Sequence, residues 1–201
     1  MRSVRAPDAL RARIAAETDR TLVRRTIVKR MKLSGALAAA AACLGIVVGL
    51  ASLGGSDDPS ALAAANLATR GAVAAAPAVD PANGKVLTAR VDNVSFPVWA
   101  DRFPWKAKGI RTDELEGRKT TTVFYDDPQG VRLGYTIVAG EALDWPQDSR
   151  RVVRNGIEVR TTTQDGRIVA FWREHGHTCV ISAPDTVPED RMITLASSGY
   201  V

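Results

Sequence analysis

The feature that most constrains this chain is an uninterrupted apolar run of 21 residues, 33–53, with the sequence LSGALAAAAACLGIVVGLASL. The run contains no charged residue and no proline, and it follows a strongly basic segment. A helix rises about 1.5 Å per residue, so a run of this length covers the roughly 30 Å hydrocarbon core of a bilayer. Because unpaired backbone groups are costly in lipid, the run predicts one transmembrane helix.

The charges on the two sides of the run predict its orientation. Residues 1–32 hold ten Lys and Arg residues against three acidic residues, a net charge of +7, whereas the whole chain carries +5. Basic residues that flank a span stay on the cytoplasmic side. We therefore expect a cell-membrane protein that crosses once, with residues 1–32 as a cytosolic arm and residues 54–201 outside the cytoplasm.

Two glycines in the apolar run have the spacing of a helix-packing motif. Gly45 and Gly49 are four residues apart, which would let the backbones of two helices approach closely. Such a pair also arises by chance in an Ala-rich span. A homodimer through the span and a span without a partner both remain open.

A second interpretation treats the N-terminal part as an export signal. The segment RRTIVK at 24–29 has the arrangement of a twin-arginine signal, and the small residues at 61–63 would suit a signal peptidase. The apolar run is, however, longer than an ordinary signal core, and 61–63 lie eight residues beyond it. Both interpretations leave the C-terminal part outside the cytoplasm.

The distribution of aromatic residues predicts where the folded domain begins. All 11 aromatic residues lie between Phe96 and Tyr200. Large aromatic side chains dominate core burial, so we expect a domain over 85–201. Residues 54–84 are rich in Ala, Gly and Pro and predict a linker, with one short helix after Asp58-Pro59.

Within the predicted domain, most of the signals are those of β-strands. Runs rich in β-branched and aromatic residues alternate with short turn sequences at 126–130, 164–166 and 174–176, and strands joined in this way pair antiparallel. A helix is expected from Pro188, with acidic residues in its first turn. The fold class predicted is α+β, a small antiparallel sheet with a C-terminal helix. The predicted strands are 119–125, 131–138, 157–163, 167–172 and 177–182, and 96–99 adds an earlier strand or an aromatic-packed entry.

Several motifs resemble a known family. The runs VSFPVWADRFPWKAKGIRTDELEGRKTTTVFY, LGYTIVAG and GHTCVIS resemble the extracytoplasmic domain of actinobacterial membrane-bound anti-sigma factors, which regulate transcription. The arm sequence VRAPDALRARIAAE resembles the segment that ends their zinc-binding anti-sigma domain. The resemblance implies a sensor domain that signals across the membrane, with a sigma factor as the cytosolic partner. In the domain, the motif residues that carry this resemblance are Phe96, Trp99, Trp105, Tyr135, His177 and Cys179.

The arm departs from the pattern of that family. Zinc-binding anti-sigma domains carry a His-x3-Cys-x2-Cys motif, and residues 1–32 contain neither His nor Cys. Either the protein starts further upstream, or the sigma-binding bundle has been lost. In the second case the capture of a sigma factor is in doubt.

The arm itself predicts a helix with a narrow apolar stripe. Leu10 and Ile14 lie one turn apart, and Leu22 follows two turns later on the same side, but Thr18 interrupts the stripe. The stripe would suit a groove on a sigma factor. Alternatively, the arm is a basic stem that sets topology and contacts anionic lipid. Direct binding of nucleic acid is not expected.

One cluster in the domain has residue types that bind metals or act as nucleophiles. His175, His177 and Cys179 would share one face of a continuous strand. The sequence around His175 favours a turn, however, which would remove it from that face. Cys43 lies within the apolar run, so no intrachain disulfide is expected. Two alternatives remain open for His177 and Cys179. They are weak candidates for metal ligation or thiol chemistry, or Cys179 is a buried small hydrophobic residue with His177 as a hydrogen-bonded neighbour.

No other pattern argues for catalysis. The chain has no phosphate-binding glycine loop and no G-x-S-x-G motif, so we predict neither an enzyme nor a cofactor. Trp99, Phe103 and Trp105 lie close in sequence and would either line a ligand groove or fill the core. Two hypotheses for function result. The chain is a single-pass regulator with a sensor domain, or it is an exported or anchored domain that binds a ligand.

Overall fold

The computed structural model describes residues 60–199. The predicted arm with Leu10, Ile14 and Leu22, and the predicted span with Gly45 and Gly49, lie outside the described residues. Within residues 60–199, no helix is long and apolar enough to cross a membrane.

The described part is an antiparallel sheet with two short helices, one of them near the C-terminus, which confirms the predicted α+β class. Along the chain the elements are α1 (Ala61–Leu67), β1 (Ala74–Ala75), β2 (Val86–Val91), β3 (Val94–Pro97), β4 (Lys106–Leu115), β5 (Arg118–Asp126), β6 (Arg132–Val138), β7 (Arg150–Arg154), β8 (Ile157–Gln164), β9 (Arg167–Glu174), β10 (His177–Pro184) and α2 (Glu189–Ala196). Eight strands form the main sheet in the order β1-β4-β5-β6-β10-β9-β8-β7, and β2 and β3 form a separate hairpin.

Two-residue turns set the register of four hairpins in the main sheet. In each turn both residues have positive φ and the second is glycine, which matches the right-handed twist of the paired strands. These turns join β4 to β5, β7 to β8, β8 to β9 and β9 to β10. Their residues are Glu116-Gly117, Asn155-Gly156, Asp165-Gly166 and His175-Gly176.

The five strands predicted in the second half of the domain correspond to β5, β6, β8, β9 and β10. The expected early strand is β3, and the expected terminal helix is α2, with Pro188 at its N-cap position. The sequence analysis did not predict β1, β2, β4 or β7. Strands β4 and β7 have many charged residues and lie at or next to the edges of the sheet, so they lack the apolar runs of central strands.

The sheet is covered on both faces. The hairpin β2–β3 and helix α2 pack on one face, which we call the hairpin face, with Phe96, Tyr135 and Met192 in its core. Helix α1 packs on the opposite face, the α1 face, over Val138 and Phe171. Successive strand residues point to opposite faces, and here both faces are covered. The central strands β5, β6 and β10 are therefore buried along nearly their whole length.

Helix α1 changes the predicted boundary of the domain. The short helix expected after Asp58-Pro59 is present, and the Ser60 side chain caps it by accepting a hydrogen bond from the Ala63 backbone nitrogen at 3.0 Å. The predicted linker 54–84 nevertheless includes Ala61, Ala64, Ala65 and Leu67, all of which are buried against the sheet. This segment therefore belongs to the folded domain, since its small side chains allow close packing that composition alone does not reveal.

A buried ion pair holds the chain that follows α1. The Arg111 guanidinium donates two hydrogen bonds to the Asp113 carboxylate, at 2.6 and 2.7 Å. It also donates to the backbone carbonyls of Arg70 and Gly71, at 3.0 and 2.8 Å. The side chains of Arg111 and Asp113 are only 5% and 1% exposed. The segment between α1 and β1 is thus fixed to the edge of the sheet.

Candidate functional site

The hairpin face contains a cavity of about 340 Å³ between the sheet, the β2–β3 hairpin and the C-terminal end of α2. We call it the aromatic cleft. Its volume lies at the lower end of the range for small-molecule sites. The residues that line it include Trp99, Tyr135, Ile157, Trp172, Glu174 and Leu195.

Three aromatic rings form one wall of the cleft. Tyr135 lies between two tryptophans, with its ring centroid 5.8 Å from that of Trp99 and 5.0 Å from that of Trp172. Trp99 follows β3, Tyr135 is on β6 and Trp172 is on β9. Strand order explains this convergence: only β10 lies between β6 and β9, and Tyr135 on β6 and Trp172 on β9 both pack in the core of the hairpin face, where Trp99 meets them.

The polar atoms of these side chains are tied into the wall. The Trp99 indole nitrogen donates to the Ser198 hydroxyl at 3.4 Å, and the Trp172 indole nitrogen donates to the Glu174 carboxylate at 3.3 Å. These contacts connect the cleft both to the segment after α2 and to the end of β9. The rings are therefore held in place in the absence of a ligand, as in a preformed site.

A second, smaller cavity of about 210 Å³ lies beside Trp99 and is lined also by Lys85, Asp101, Arg102 and Phe103. The Arg102 guanidinium carbon lies 5.6 Å from the centroid of the Phe103 ring. A guanidinium nitrogen of Arg102 also donates to the Ser198 carbonyl at 3.5 Å. Ser198 and Gly199, which follow α2, line both cavities, and Arg102 contacts Ser198 from the side of the smaller one.

The aromatic residues singled out in the sequence divide between core and cleft. Trp105 is buried at 3% exposure in the main core, and Phe96 packs edge-on against Tyr135 at 5.0 Å between ring centroids. Trp99 is equally buried but lines both cavities. Phe103 is partly buried and lines the smaller cavity. The core interpretation describes Phe96 and Trp105, whereas Trp99 and Tyr135 serve both core and cleft.

The structure removes His175 from the strand face that His177 and Cys179 share on β10. His175 is exposed in the turn between β9 and β10, as its sequence context predicts. The His177 ring has Nδ1 2.8 Å from the Gly140 carbonyl oxygen and Nε2 3.6 Å from an Asp92 carboxylate oxygen. Cys179 is fully buried on the hairpin face.

The environment of Cys179 disfavours a reactive thiolate. Burial strongly raises the pKa of the Cys179 thiol, and a hydrogen bond with Tyr135 offsets only part of this effect. In the described range 60–199, no three His, Cys, Asp or Glu side chains are grouped so that they could hold a metal ion. His177 and Cys179 therefore lie in settings that suit structural roles.

A third cavity, of about 450 Å³, lies on the α1 face between the first turn of α1 and the loop after β6. Arg118 donates to the backbone carbonyls of Ala139, at 2.8 Å, and of Glu141, which fixes this loop. Trp145 in the same loop is flanked by the guanidinium groups of Arg160 and Arg173, at 5.8 and 4.5 Å from one of its ring centroids. These cations are engaged in holding the loop against the sheet.

Trp172, Glu174, Ile157 and Leu195 were not predicted as site residues. A signal for Trp172 was present, because a two-residue turn at His175-Gly176 places Trp172 directly opposite Cys179. No local pattern indicates Leu195, which reaches the cleft only because α2 packs back onto the sheet.

Comparisons of this chain with protein-family models, with curated proteins and with solved structures find no match. The geometry defines a small antiparallel α+β domain with a preformed aromatic cleft.

Proposed function

We propose that this chain is a single-pass membrane regulator that resembles a membrane-bound anti-sigma factor, with the domain described above as its extracytoplasmic sensor. The observation that carries the proposal is the order of its parts: an arm of net charge +7, a charge-free run of 21 residues, and then a folded domain with a cleft. Basic residues before a span and a folded domain after it fit an inward-facing arm and an outward-facing sensor.

The docking of α1 strengthens this interpretation. Only residues 54–59 separate the predicted span from α1, and α1 is packed on the sheet. A sensor joined to its span through so short a segment is suited to pass a change in the domain to the membrane. The long linker that the composition suggested would absorb such a change.

The proposed output of the arm is contact with a sigma factor through Leu10, Ile14 and Leu22. This apolar stripe would dock in a groove of the partner while the surrounding basic residues contact anionic lipid. Residues Gly45 and Gly49 would allow the spans of two copies to associate. Nothing in this proposal requires catalysis or a cofactor.

The topology is tested with two reporters fused to residue 201 of the full chain. Alkaline phosphatase folds only outside the cytoplasm, whereas green fluorescent protein exported in unfolded form does not fluoresce there. We expect an active phosphatase fusion and a dark fluorescent fusion. The reverse pattern would rule out the proposed orientation.

The partner is tested by crosslinking in cells that express the full chain, followed by purification and mass spectrometry. We expect a sigma factor to be recovered, and the variant L10A/I14A/L22A to reduce its recovery at least tenfold, since the loss of three buried apolar side chains costs about 3 kcal/mol or more in total. The matched control is V23A/I27A, which removes apolar side chains from another side of the predicted helix. Recovery of no sigma factor with the unaltered chain would contradict the regulator proposal.

A second candidate function, an exported or anchored ligand-binding domain, is favoured by the aromatic cleft. The signal-peptide form of this candidate would remove Ala61, Leu62 and Ala63, which form the first turn of the docked helix α1. Because α1 packs on the sheet, this cleavage would remove part of the folded domain, which favours the anchored form over a released one. Intact-mass measurement of the membrane and soluble fractions distinguishes them, because cleavage after Ala63 would leave a released chain that begins at Ala64.

A further inference from the structure

We propose that the aromatic cleft binds a small organic cation, a protonated or quaternary amine that carries a short apolar body. The inference deepens the proposed function, since it names the ligand class of the sensor domain, and it rests on that proposal only for its biological meaning. The binding itself is argued from the walls of the cleft.

The aromatic wall of the cleft favours a cation. Trp99, Tyr135 and Trp172 line one cavity, and each neighbouring pair of rings lies within 6 Å between centroids. The faces of aromatic rings carry negative electrostatic potential and attract ammonium groups, most strongly at tryptophan. Because the rings are already held by hydrogen bonds to Ser198 and Glu174, a ligand would not have to order them.

A carboxylate at the rim of the cleft also favours a cation. Glu174 places its carboxylate beside the Trp172 indole and supplies a negative charge to the cleft. The neighbouring residue Arg173 also lines the cavity. Its guanidinium, however, is directed to the α1 face, where it donates to the Leu143 carbonyl at 3.1 Å and lies over the Trp145 ring. The exposed His175 ring lies in the turn at the rim.

The C-terminal end of α2 borders the cleft and favours a cation as well. Residues at and just after the helix C-terminus, including Leu195 and Ser198, line the cleft. The C-terminal end of a helix carries partial negative charge and favours cations.

The size and the apolar contacts define the body of the ligand. A cavity of about 340 Å³ limits the ligand to a small molecule. Ile157 and Leu195 also line the cavity and supply aliphatic surface, which suits methyl or methylene groups.

The proposal is tested by titrating the full chain with choline and with 3,3-dimethylbutan-1-ol, a neutral molecule of the same shape. The chain is purified in a maltoside detergent, because phosphocholine detergents and lipids carry the probe group. Binding is followed by tryptophan fluorescence and by isothermal titration calorimetry. We expect saturable binding of choline and at least tenfold weaker binding of the alcohol. Equal binding of the two probes, or no saturable binding of choline, would overturn the proposal.

The residue assignment is tested with Glu174→Gln, which removes the charge but retains an oxygen that can accept from the Trp172 indole. We expect at least a fivefold loss of choline affinity with an unchanged melting temperature. The matched control Glu114→Gln alters an exposed glutamate on β4 and should leave the affinity within a factor of two. Equal affinities of the two variants would remove Glu174 from the site. Because these measurements do not depend on topology or on a sigma factor, failure here and failure of the proposed function are separable.

Discussion

Two Arg–Asp pairs of the same geometry lie in contrasting environments, and they show what burial does to a single interaction. Arg111 and Asp113 form a buried bidentate pair, whereas Arg132 and Asp126 form an equivalent pair in which the Arg132 side chain is 50% exposed. In both pairs the hydrogen bonds to the aspartate raise the pKa of the arginine, so the pairs differ in burial and not in the direction of this shift. A buried charge that loses its partner is costly, while an exposed one is solvated by water.

Replacement of Asp113 by Asn is therefore expected to destabilise the protein by about 3 kcal/mol, because the Arg111 charge would remain buried with only carbonyl partners. The matched variant Asp126→Asn should cost under about 1 kcal/mol. Chemical denaturation followed by tryptophan fluorescence measures both. Equal losses in the two variants would show that the Arg111–Asp113 pair is not a buried charge pair in solution.

Glu189 predicts how acid affects stability. It accepts hydrogen bonds from the Thr161 hydroxyl at 2.5 Å and from Arg150 at 2.9 Å, and these contacts lower its pKa below the ordinary value of 4.5. A lowered pKa in the folded state stabilises the protein above the unfolded value, and this contribution is lost as the pH falls through the folded value.

We therefore expect the free energy of unfolding to fall as the pH drops below about 5, and the fall to be shallower in Glu189→Gln. Urea unfolding at several pH values measures the slope. Glu158 and Asp190 also have lowered pKa values through their arginine partners, so the variant should keep part of the dependence. A slope identical to that of the unaltered protein would exclude a role of Glu189 in acid sensitivity.

At the level of elements, the docking of α1 depends on close approach to the sheet. A Cβ atom added at Gly134 on β6 would lie 2.5 Å from the Ala68 side chain. The side chains of α1 that face the sheet are mostly alanine, so the helix has few large contacts to compensate for a displacement. Position 134 thus controls whether α1 can cover the α1 face.

Gly134→Ala should accordingly push α1 away from β6 and cost about 1–3 kcal/mol, as overpacking does elsewhere. Hydrogen exchange should rise in residues 61–68 more than in β9 or β10. The control is Gly84→Ala, since an added Cβ there meets no atom within 4 Å. Unchanged protection of 61–68 in the Gly134 variant would indicate that α1 is not docked in solution.

The turns show how far sequence patterns reach at this level. The turns at 164–166 and 174–176 were predicted and are confirmed, and each contains a glycine that permits positive φ. The turn Asn155-Gly156 has the strongest hairpin signature in the chain. It is not among the predicted turns, because the flanking strand β7 is dominated by arginine and gives no apolar strand signal. Charged edge strands weaken the apolar signal on which strand prediction depends.

At the level of the whole molecule, a sheet covered on both faces needs both covers. Without α1, the sheet would expose Val138, Val169, Phe171 and Val180 on its α1 face. These side chains are almost completely buried in the described structure. The boundary near residue 85 that the aromatic residues suggested would leave them open to solvent.

A fragment of residues 85–201 should therefore be less stable than a fragment of residues 56–201 by roughly 3 kcal/mol or more, because burial of each large apolar side chain contributes about 1.5–3 kcal/mol. Thermal unfolding and light scattering of the two fragments measure this difference. Equal melting temperatures would restore the shorter boundary and the original extent of the linker.

The aromatic cleft illustrates what sequence could and could not reveal about the site. Trp99 and Tyr135 were singled out from motifs, but Trp172, Glu174 and Leu195 were not. The three aromatic residues of the wall are separated by 36 and 37 positions along the chain. Their meeting depends on the order of strands in the sheet, which no local pattern encodes.

The sequence by itself determined the features that act over a few residues: the apolar run, the charge asymmetry around it, the central strands, their hairpin turns and the acidic start of α2. These follow from hydrogen-bond satisfaction, alternation and backbone preferences, which are local. Only the tertiary structure decided that α1 covers the sheet, that Arg111 and Asp113 are buried together, and that a cleft forms beside Tyr135. Those outcomes depend on which distant surfaces fit against one another, and the alanines of α1 carry no signal of their partner until Gly134 is placed beneath them.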